Sequence, residues 1–76
     1  MKEEKHSIEA LLRDKYGELL TLEEVAGILR YKSISAARKA LSRKTFPVPM
    51  YRFKGRSGYF AKVEEVSEAI ENMILT

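Results

Sequence analysis

The chain has 76 residues, no cysteine and a formal net charge of +3, and 33% of its residues are charged. This length predicts one small domain over residues 1 to 76, with a core too small to enclose a buried substrate cavity. The lack of cysteine excludes disulfide frameworks and thiolate zinc sites, and no apolar run approaches the roughly 20 residues of a membrane span. We therefore expect a cytoplasmic protein that is not an enzyme, has no metal or cofactor, and binds neither a membrane nor a small-molecule ligand.

The small net charge hides a strong separation of sign along the chain. Residues 25 to 63, the acid-free window, contain ten lysines or arginines and none of the eleven acids. The ten cations of the window are Arg30, Lys32, Arg38, Lys39, Arg43, Lys44, Arg52, Lys54, Arg56 and Lys62. A surface with one sign of charge attracts a polyanion, and duplex DNA is the commonest such partner.

The N-terminal part of the chain predicts a tail and an additional helix. Residues 1 to 6 lack any apolar pattern and are expected to be a mobile tail. Ser7 is a suitable cap for a helix over residues 8 to 16, and Gly17 is placed to end it. This helix serves either as extra core or as an interface.

A second helix follows directly. Residues 21 to 24, Thr-Leu-Glu-Glu, form a capping box in front of an apolar arc of helical period that extends to Leu29. Glu23 and Glu24 suit the positive start of this helix and are expected to face away from phosphate. Gly27 lies on its polar side, where it either marks a close backbone approach or is a tolerated surface glycine.

A third helix is predicted over residues 34 to about 44, with Ser33 as its N-cap. At 100° per residue, Ile34, Ala37, Ala40 and Leu41 fall on one side, so the opposite side is exposed. The residues of this exposed arc are all polar or basic: Ser35, Arg38, Lys39, Ser42 and Arg43.

A hairpin and a last helix complete the chain. Pro47 and Pro49 stop the third helix, and residues 50 to 54 alternate as a half-buried strand with Arg52 and Lys54 outward. Residues 55 to 58 supply the turn, with Arg56 at the tip, and residues 59 to 61 the return strand.

The final helix is predicted over residues 63 to 75, with one apolar face formed by Val66, Ile70, Met73 and Ile74.

The order helix, helix, helix, hairpin, helix describes a mainly α domain with a small β-hairpin, arranged as a winged helix-turn-helix. In such a module the second helix of the pair enters the major groove and the hairpin lies over neighbouring backbone. Both elements are basic here. The pattern therefore predicts DNA contacts from the exposed arc of the third helix and from Lys44, Arg52, Lys54 and Arg56.

Five segments together resemble the AlpA and excisionase-like small DNA-binding proteins, single-domain relatives of the MerR-type winged helix-turn-helix. They are residues 22 to 26, 33 to 41, 46 to 49, 56 to 60 and 65 to 70. The Phe-Pro-Val-Pro segment at residues 46 to 49 is the most specific. The chain departs from the family pattern in the turn between the paired helices, where glycine is usual and this chain has Arg30-Tyr31-Lys32.

The resemblance implies a DNA-binding protein of a prophage, plasmid or other mobile element. Such a protein acts as a transcriptional regulator or as an excision factor, that is, a recombination directionality factor. The resemblance also implies that Ser33, Ser35, Arg38 and Lys39 occupy recognition-helix positions and that Arg56 belongs to the wing.

Two other interpretations of the basic surface stay open. The aromatic residues of the hairpin could bind RNA or single strands by stacking, and the basic face could meet an acidic protein, as in an anti-repressor. The leading interpretation expects double-stranded DNA as the partner. Because a small recognition surface gives limited specificity, it also expects a homodimer or a cooperative oligomer on DNA.

Overall fold

The computed structural model describes residues 8 to 74, which form four helices and a two-stranded antiparallel sheet. The elements in chain order are α1 (Ile8–Tyr16), β1 (Leu19–Thr21), α2 (Leu22–Ile28), α3 (Ile34–Ser42), β2 (Phe60–Lys62) and α4 (Val63–Met73). A mainly helical domain with one small antiparallel pair of strands is therefore confirmed. The tail predicted at residues 1 to 6 and the cap at Ser7 lie outside the described residues. The last helix, predicted to extend to residue 75, ends at Met73.

The additional helix α1 has the predicted bounds and covers part of the core. It ends at Gly17, which takes a φ of 88° and donates its N–H to the Arg13 carbonyl at 2.8 Å. No residue of α1 is buried, but Leu12 and Tyr16 pack against the main core. Leu11 is 67% exposed. The helix therefore contributes to the core with one side only.

The main core lies where the sheet, α2 and α4 meet. Its largest fully buried side chains are Leu20, Val25, Val48, Val63 and Val66. Each such side chain contributes about 1.5–3 kcal/mol relative to its exposed state. Four of these side chains belong to β1, α2 and α4, so burial fixes the relative placement of these elements.

The helix α2 begins with the predicted capping box. The Thr21 hydroxyl oxygen accepts from the Glu24 N–H at 3.1 Å, and the Glu24 carboxylate accepts from the Thr21 N–H at 2.9 Å. Gly27 is exposed, and a Cβ added there would meet nothing within 4 Å. Of the two interpretations of Gly27, the tolerated surface glycine is therefore the correct one.

The helices α2 and α3 meet at a fully buried alanine. Ala37 of α3 is fully buried in a cluster with Leu22 and Ala26 of α2. Alanine allows two helix backbones to approach closely. The Ser33 hydroxyl caps α3 by accepting from the Ala36 N–H at 3.1 Å, and the helix ends at Ser42, about two residues before its predicted end.

The predicted pairing of strands is corrected by the structure. Residues 50 to 54 do not form a strand, and Tyr51 makes one antiparallel bridge to Phe60, with hydrogen bonds of 2.7 and 2.8 Å. The strand β2 pairs instead with β1, with Leu20 opposite Ala61. We call residues 51 to 60, which this bridge closes, the 51–60 loop.

A physical reason for this pairing is burial. Leu20 and Ala61 are both fully buried at the centre of the β1–β2 pair, whereas Tyr51 and Phe53 are half-buried. The centre of the β1–β2 pair therefore lies in the core, whereas Tyr51 and Phe53 of the predicted strand are only partly covered. Local alternation in the sequence carries no information on such a distant partner.

The helix α4 covers the core with its first two turns. Val66 is fully buried and Ile70 is half-buried, but Met73 is 46% and Ile74 58% exposed. The predicted apolar face is thus covered at Val66 and Ile70 and exposed at Met73 and Ile74 among the described residues.

No helix in residues 8 to 74 combines the length and the apolarity that a membrane crossing requires.

Candidate functional site

The candidate site is the surface formed by the ten cations of the acid-free window. All ten side chains are exposed. Within residues 8 to 74 none of them forms an ion pair or a side-chain hydrogen bond. The chain does neutralise a cation elsewhere, because Arg13 pairs with Glu9 at 2.8 Å and with Glu18 at 2.9 Å. The basic surface is therefore left free of protein carboxylate partners in the described chain.

The ion pairs of Arg13 change the pKa of a carboxyl group. Hydrogen bonding from the Arg13 guanidinium lowers the pKa of the Glu18 carboxyl, because it favours the charged form. Both pairs involve α1 or the turn after it, outside the acid-free window.

The exposed arc of α3 is where the sequence predicted it. Ser35, Arg38, Lys39, Ser42 and Arg43 are all exposed. The other side of the helix packs on α2 and its neighbours through Ile34, Ala37 and Leu41. The helical period therefore sorts α3 into a packed side and a polar, basic side. Ser33, also predicted as a site residue, uses its oxygen as the helix cap.

Three cations in and next to the 51–60 loop lie over aromatic rings. Arg52 lies 5.4 Å from the centre of the Tyr59 ring, Arg56 lies 5.2 Å from that of Phe60, and Lys62 lies 5.1 Å from that of Tyr51. Such contacts contribute about 0.5–1 kcal/mol each at exposed sites. They orient the cations without neutralising their charge.

The turn of the 51–60 loop is set by a glycine. The Arg56 N–H donates to the Phe53 carbonyl at 3.1 Å, and Gly55 has a φ of 79°. A positive φ at this position is the mark of a type II turn, in which glycine is favoured. Lys54, predicted as a site residue, is exposed beside this glycine.

One side-chain hydrogen bond ties the 51–60 loop to α4. The Tyr51 hydroxyl donates to both carboxylate oxygens of Glu65, at 3.0 and 3.1 Å. This hydrogen bond raises the pKa of the Tyr51 hydroxyl. The carboxylate of Glu65 thereby acts as a structural anchor for the loop.

A cleft lies where α2, α3 and the 51–60 loop meet. It has a volume of about 340 Å³ and is lined by Arg38 of α3 and by Ser57 and Gly58 of the loop, among others. The hydrogen bond from the Leu22 N–H to the Tyr59 carbonyl, at 3.1 Å, holds the start of α2 against the loop. The structure thus brings Arg38 together with the loop.

Glu23 also lines this cleft, together with Arg38, which is predicted as a DNA contact. The sequence predicts that Glu23 and Glu24 face away from phosphate. Glu24 is occupied in the capping box, but Glu23 is exposed beside Arg38 and Ser57. Sequence reasoning missed it because the positive end of α2 was already a sufficient explanation for an acid at that position.

The other predicted site residues lie apart from the cleft. Arg43 and Lys44 follow the last turn of α3, while Ile34 and Arg38 of the same helix line the cleft. At 1.5 Å per residue, Arg38 lies about 6 Å along the helix axis from Ser42, the last residue of α3, and Arg43 and Lys44 follow beyond that end. The basic surface is therefore extended along α3 and is not a single pocket.

Comparison of the chain with protein-family models, curated proteins and solved structures gives no match to any of them. Residues 8 to 74 also contain no group of three or more histidine, cysteine, aspartate or glutamate side chains that could hold a metal ion. A functional argument for this chain therefore starts from the exposed cations and their geometry.

Proposed function

We propose that this chain binds double-stranded DNA in a sequence-specific manner. In this proposal α2 and α3 are the helix-turn-helix pair of a winged helix-turn-helix, α3 enters the major groove, and the 51–60 loop is the wing. The observation that carries the proposal is the set of ten exposed cations without a carboxylate partner in the described chain. DNA phosphates would supply the missing negative charge.

The dimensions of α3 support this assignment. With its side chains an α-helix is about 10–12 Å across and the major groove is about 12 Å wide, so a nine-residue helix such as α3 fits into the groove. The exposed arc offers guanidinium, ammonium and hydroxyl groups, which are the donors that read base edges and phosphates. Arg38 is the leading candidate for a base contact, since arginine recognises guanine through two hydrogen bonds.

The biological role in this proposal comes from the resemblance to the AlpA and excisionase-like proteins. It is that of a transcriptional regulator or an excision factor of a mobile element, acting in the cytoplasm. Since one short helix contacts few base pairs, the proposal includes binding of a second copy on DNA.

The aromatic contacts favour duplex DNA over single strands. A single-strand binder uses open aromatic faces as stacking platforms. Here the rings of Tyr51, Tyr59 and Phe60 each have a cation over them, and Phe53 packs on Phe60 with ring centres 5.6 Å apart. These rings are engaged in holding cations and packing the loop.

The first test is selection of a duplex from a random pool, followed by competition. The selected duplex should be displaced by excess unlabelled duplex of the same sequence and much less by random duplex or by single-stranded RNA at equal phosphate concentration. Displacement by single-stranded RNA in preference to duplex would overturn the proposal. Failure to bind any nucleic acid at low salt would instead favour an acidic protein as the partner.

Arg38→Ala tests the role of α3. We expect a loss of about 1 to 3 kcal/mol on the selected duplex and little change in stability, because the side chain is exposed. The matched control is Lys15→Ala, which removes one exposed cation from α1, outside the acid-free window. An equal loss on random duplex would show that Arg38 contacts a phosphate, and an equal loss in the control would show that only net charge matters.

Arg56→Ala tests the role of the 51–60 loop. If Arg56 neutralises a phosphate, the slope of log K against log salt should fall by about one unit, to the same extent on selected and random duplex. Arg56→Lys keeps a cation and should retain the slope. An unchanged slope in Arg56→Ala would remove the loop tip from the interface.

A further inference from the structure

Two residues of the basic surface have a backbone conformation that L-amino acids rarely adopt. Arg30 has a φ of 67° and Lys44 a φ of 62°, and they are the non-glycine residues with positive φ in the described chain. In this region Cβ approaches the following carbonyl oxygen, so glycine or asparagine is the usual residue. Both positions hold a long basic side chain instead.

The two positions are equivalent in their helices. Arg30 follows the C-cap of α2, Leu29, and Lys44 follows the C-cap of α3, Arg43. In α2 the N–H of Arg30 donates to the Gly27 carbonyl at 3.1 Å and that of Tyr31 to the Ala26 carbonyl at 3.0 Å. This is the Schellman arrangement, which needs a left-handed residue at this position and suits glycine.

The end of α3 repeats the same arrangement. The N–H of Lys44 donates to the Leu41 carbonyl at 3.1 Å, and that of Thr45 to the Ala40 carbonyl at 2.9 Å. In both motifs the hydrogen bonds come from backbone groups. The side chains of Arg30 and Lys44 are therefore not needed for the turns.

Neither side chain is held by a charged or hydrogen-bonding partner within residues 8 to 74. Both are exposed and neither forms an ion pair or a side-chain hydrogen bond there. A cation near a helix C-terminus is favourable, and Arg30 supplies it for α2, whose last turn has no basic residue. At the end of α3, by contrast, Lys39 and Arg43 already supply it without a positive φ, so Lys44 is not needed for this purpose. A residue in strained conformation with no internal partner points to a role outside the fold.

Arg30 and Lys44 lie at the two ends of α3, on the turns before and after it. With its side chains an α-helix is about 10–12 Å across and fills a major groove about 12 Å wide, so the two phosphate backbones flank it closely. The turns before and after the helix are where the chain enters and leaves the groove past these backbones. A cation at each end would fix the depth and position of the helix without reading sequence.

From these observations we propose that Arg30 and Lys44 are phosphate-binding residues that position α3 in the major groove, and that their left-handed conformations are retained for this contact. The inference rests on the proposed DNA binding. It adds Arg30 to the predicted interface and assigns Lys44 to phosphate, whereas the exposed arc between them reads bases.

Arg30→Gly and Lys44→Gly test the inference through two opposite effects. Each should raise the thermal unfolding midpoint, because glycine relieves the unfavourable φ. Each should also lower the slope of log K against log salt by about one unit and weaken binding about fivefold at 0.15 M salt. The loss should be the same on the selected duplex and on random duplex, since a phosphate carries no sequence information.

Conservative variants and a charge control complete the experiment. Arg30→Lys and Lys44→Arg retain the cation and should retain the slope, and Lys15→Ala removes an equal charge from α1 and should leave the slope unchanged. If the unaltered chain binds duplex DNA and the glycine variants keep its slope, this inference is wrong and the proposed function stands. If the unaltered chain does not bind duplex DNA, the proposed function is wrong and the inference, which rests on it, is wrong as well. A lower unfolding midpoint in the glycine variants would contradict the argument from backbone strain.

Discussion

At the scale of single residues, Glu23 is the acid that the structure places within the candidate interface. It lines the cleft with Arg38 and Ser57 and follows the capped start of α2 by two residues. Beside a phosphate its carboxylate would be repelled, but beside a base it would accept a hydrogen bond from the amino group of cytosine. In the proposed function, an acid in this place therefore opposes non-specific binding and favours selected sequences.

Glu23→Gln should raise affinity for random duplex by about two- to fivefold, the scale of an exposed charge interaction. Affinity for the selected duplex should not rise, so the ratio of the two affinities should fall. Binding measured at 0.15 M salt on both duplexes checks this outcome.

Glu64→Gln is a closely matched control for Glu23→Gln. Glu64 is also exposed and also occupies the second residue of a helix, here α4. Both variants lose the same favourable interaction with the helix dipole, about 0.3–1 kcal/mol. If Glu64→Gln raised random-duplex affinity as much as Glu23→Gln, the location of Glu23 in the cleft would have no special effect.

At the scale of elements, the sequence predicted the helices well because their signals are local. Each helix signal acts within a few residues of the chain. These signals are the capping box at Thr21, the N-cap at Ser33 and the terminating glycine at residue 17. The exposed arc of α3 followed from period alone, and with it the positions of Arg38 and Lys39 on the surface.

The sequence could not predict contacts that depend on distant parts of the chain. The strand β1 has three residues, and its pairing with β2 spans about forty residues of sequence. The cleft that includes Glu23 exists because this pairing brings the start of α2 to the 51–60 loop. The left-handed conformations of Arg30 and Lys44 could not be predicted for another reason. Arginine and lysine rarely adopt a positive φ, so the residue types at these positions do not indicate it.

The 51–60 loop is an element whose order depends on its anchor to α4. Tyr51→Phe removes the hydrogen bond from the Tyr51 hydroxyl to Glu65 and should lower the unfolding midpoint by a few degrees. Tyr31→Phe is the control, because the Tyr31 ring stacks on Phe46 and its hydroxyl has no partner in the described chain. Equal midpoints for the two variants would show that the anchor adds no stability.

The same hydrogen bond predicts a dependence on alkaline pH. The pKa of Tyr51 is raised in the fold by its hydrogen bond to Glu65. The unfolded chain therefore loses this proton first, near the ordinary tyrosine pKa of about 10. The stabilisation is fully present below that pH and is lost as pH rises through the folded pKa. The unfolding free energies of wild type and Tyr51→Phe should accordingly differ by a constant amount below about pH 10 and converge above it, as pH rises through the folded pKa of Tyr51.

At the scale of the whole molecule, the charges have two different ranges of action. The cations of the acid-free window are exposed on α3 and on the 51–60 loop, and α4 exposes Glu64, Glu68 and Glu71. In the proposed function α4 faces away from DNA, so its acids act on DNA only through the long-range field. Salt separates such an effect from a contact, because the Debye length is about 30 Å at 0.01 M and about 8 Å at 0.15 M ionic strength.

Replacing Glu64, Glu68 and Glu71 together by glutamine should therefore speed association with duplex DNA severalfold at 0.01 M salt. At 0.15 M the rate and the affinity should match those of the unaltered chain, since charges beyond a Debye length are screened. Glu23→Gln should behave differently and keep its effect at 0.15 M, because it acts within the interface. Stopped-flow association at both salt concentrations makes the comparison. A gain in affinity at 0.15 M for the triple variant would mean that α4 lies against the DNA, and the proposed orientation of the molecule would be wrong.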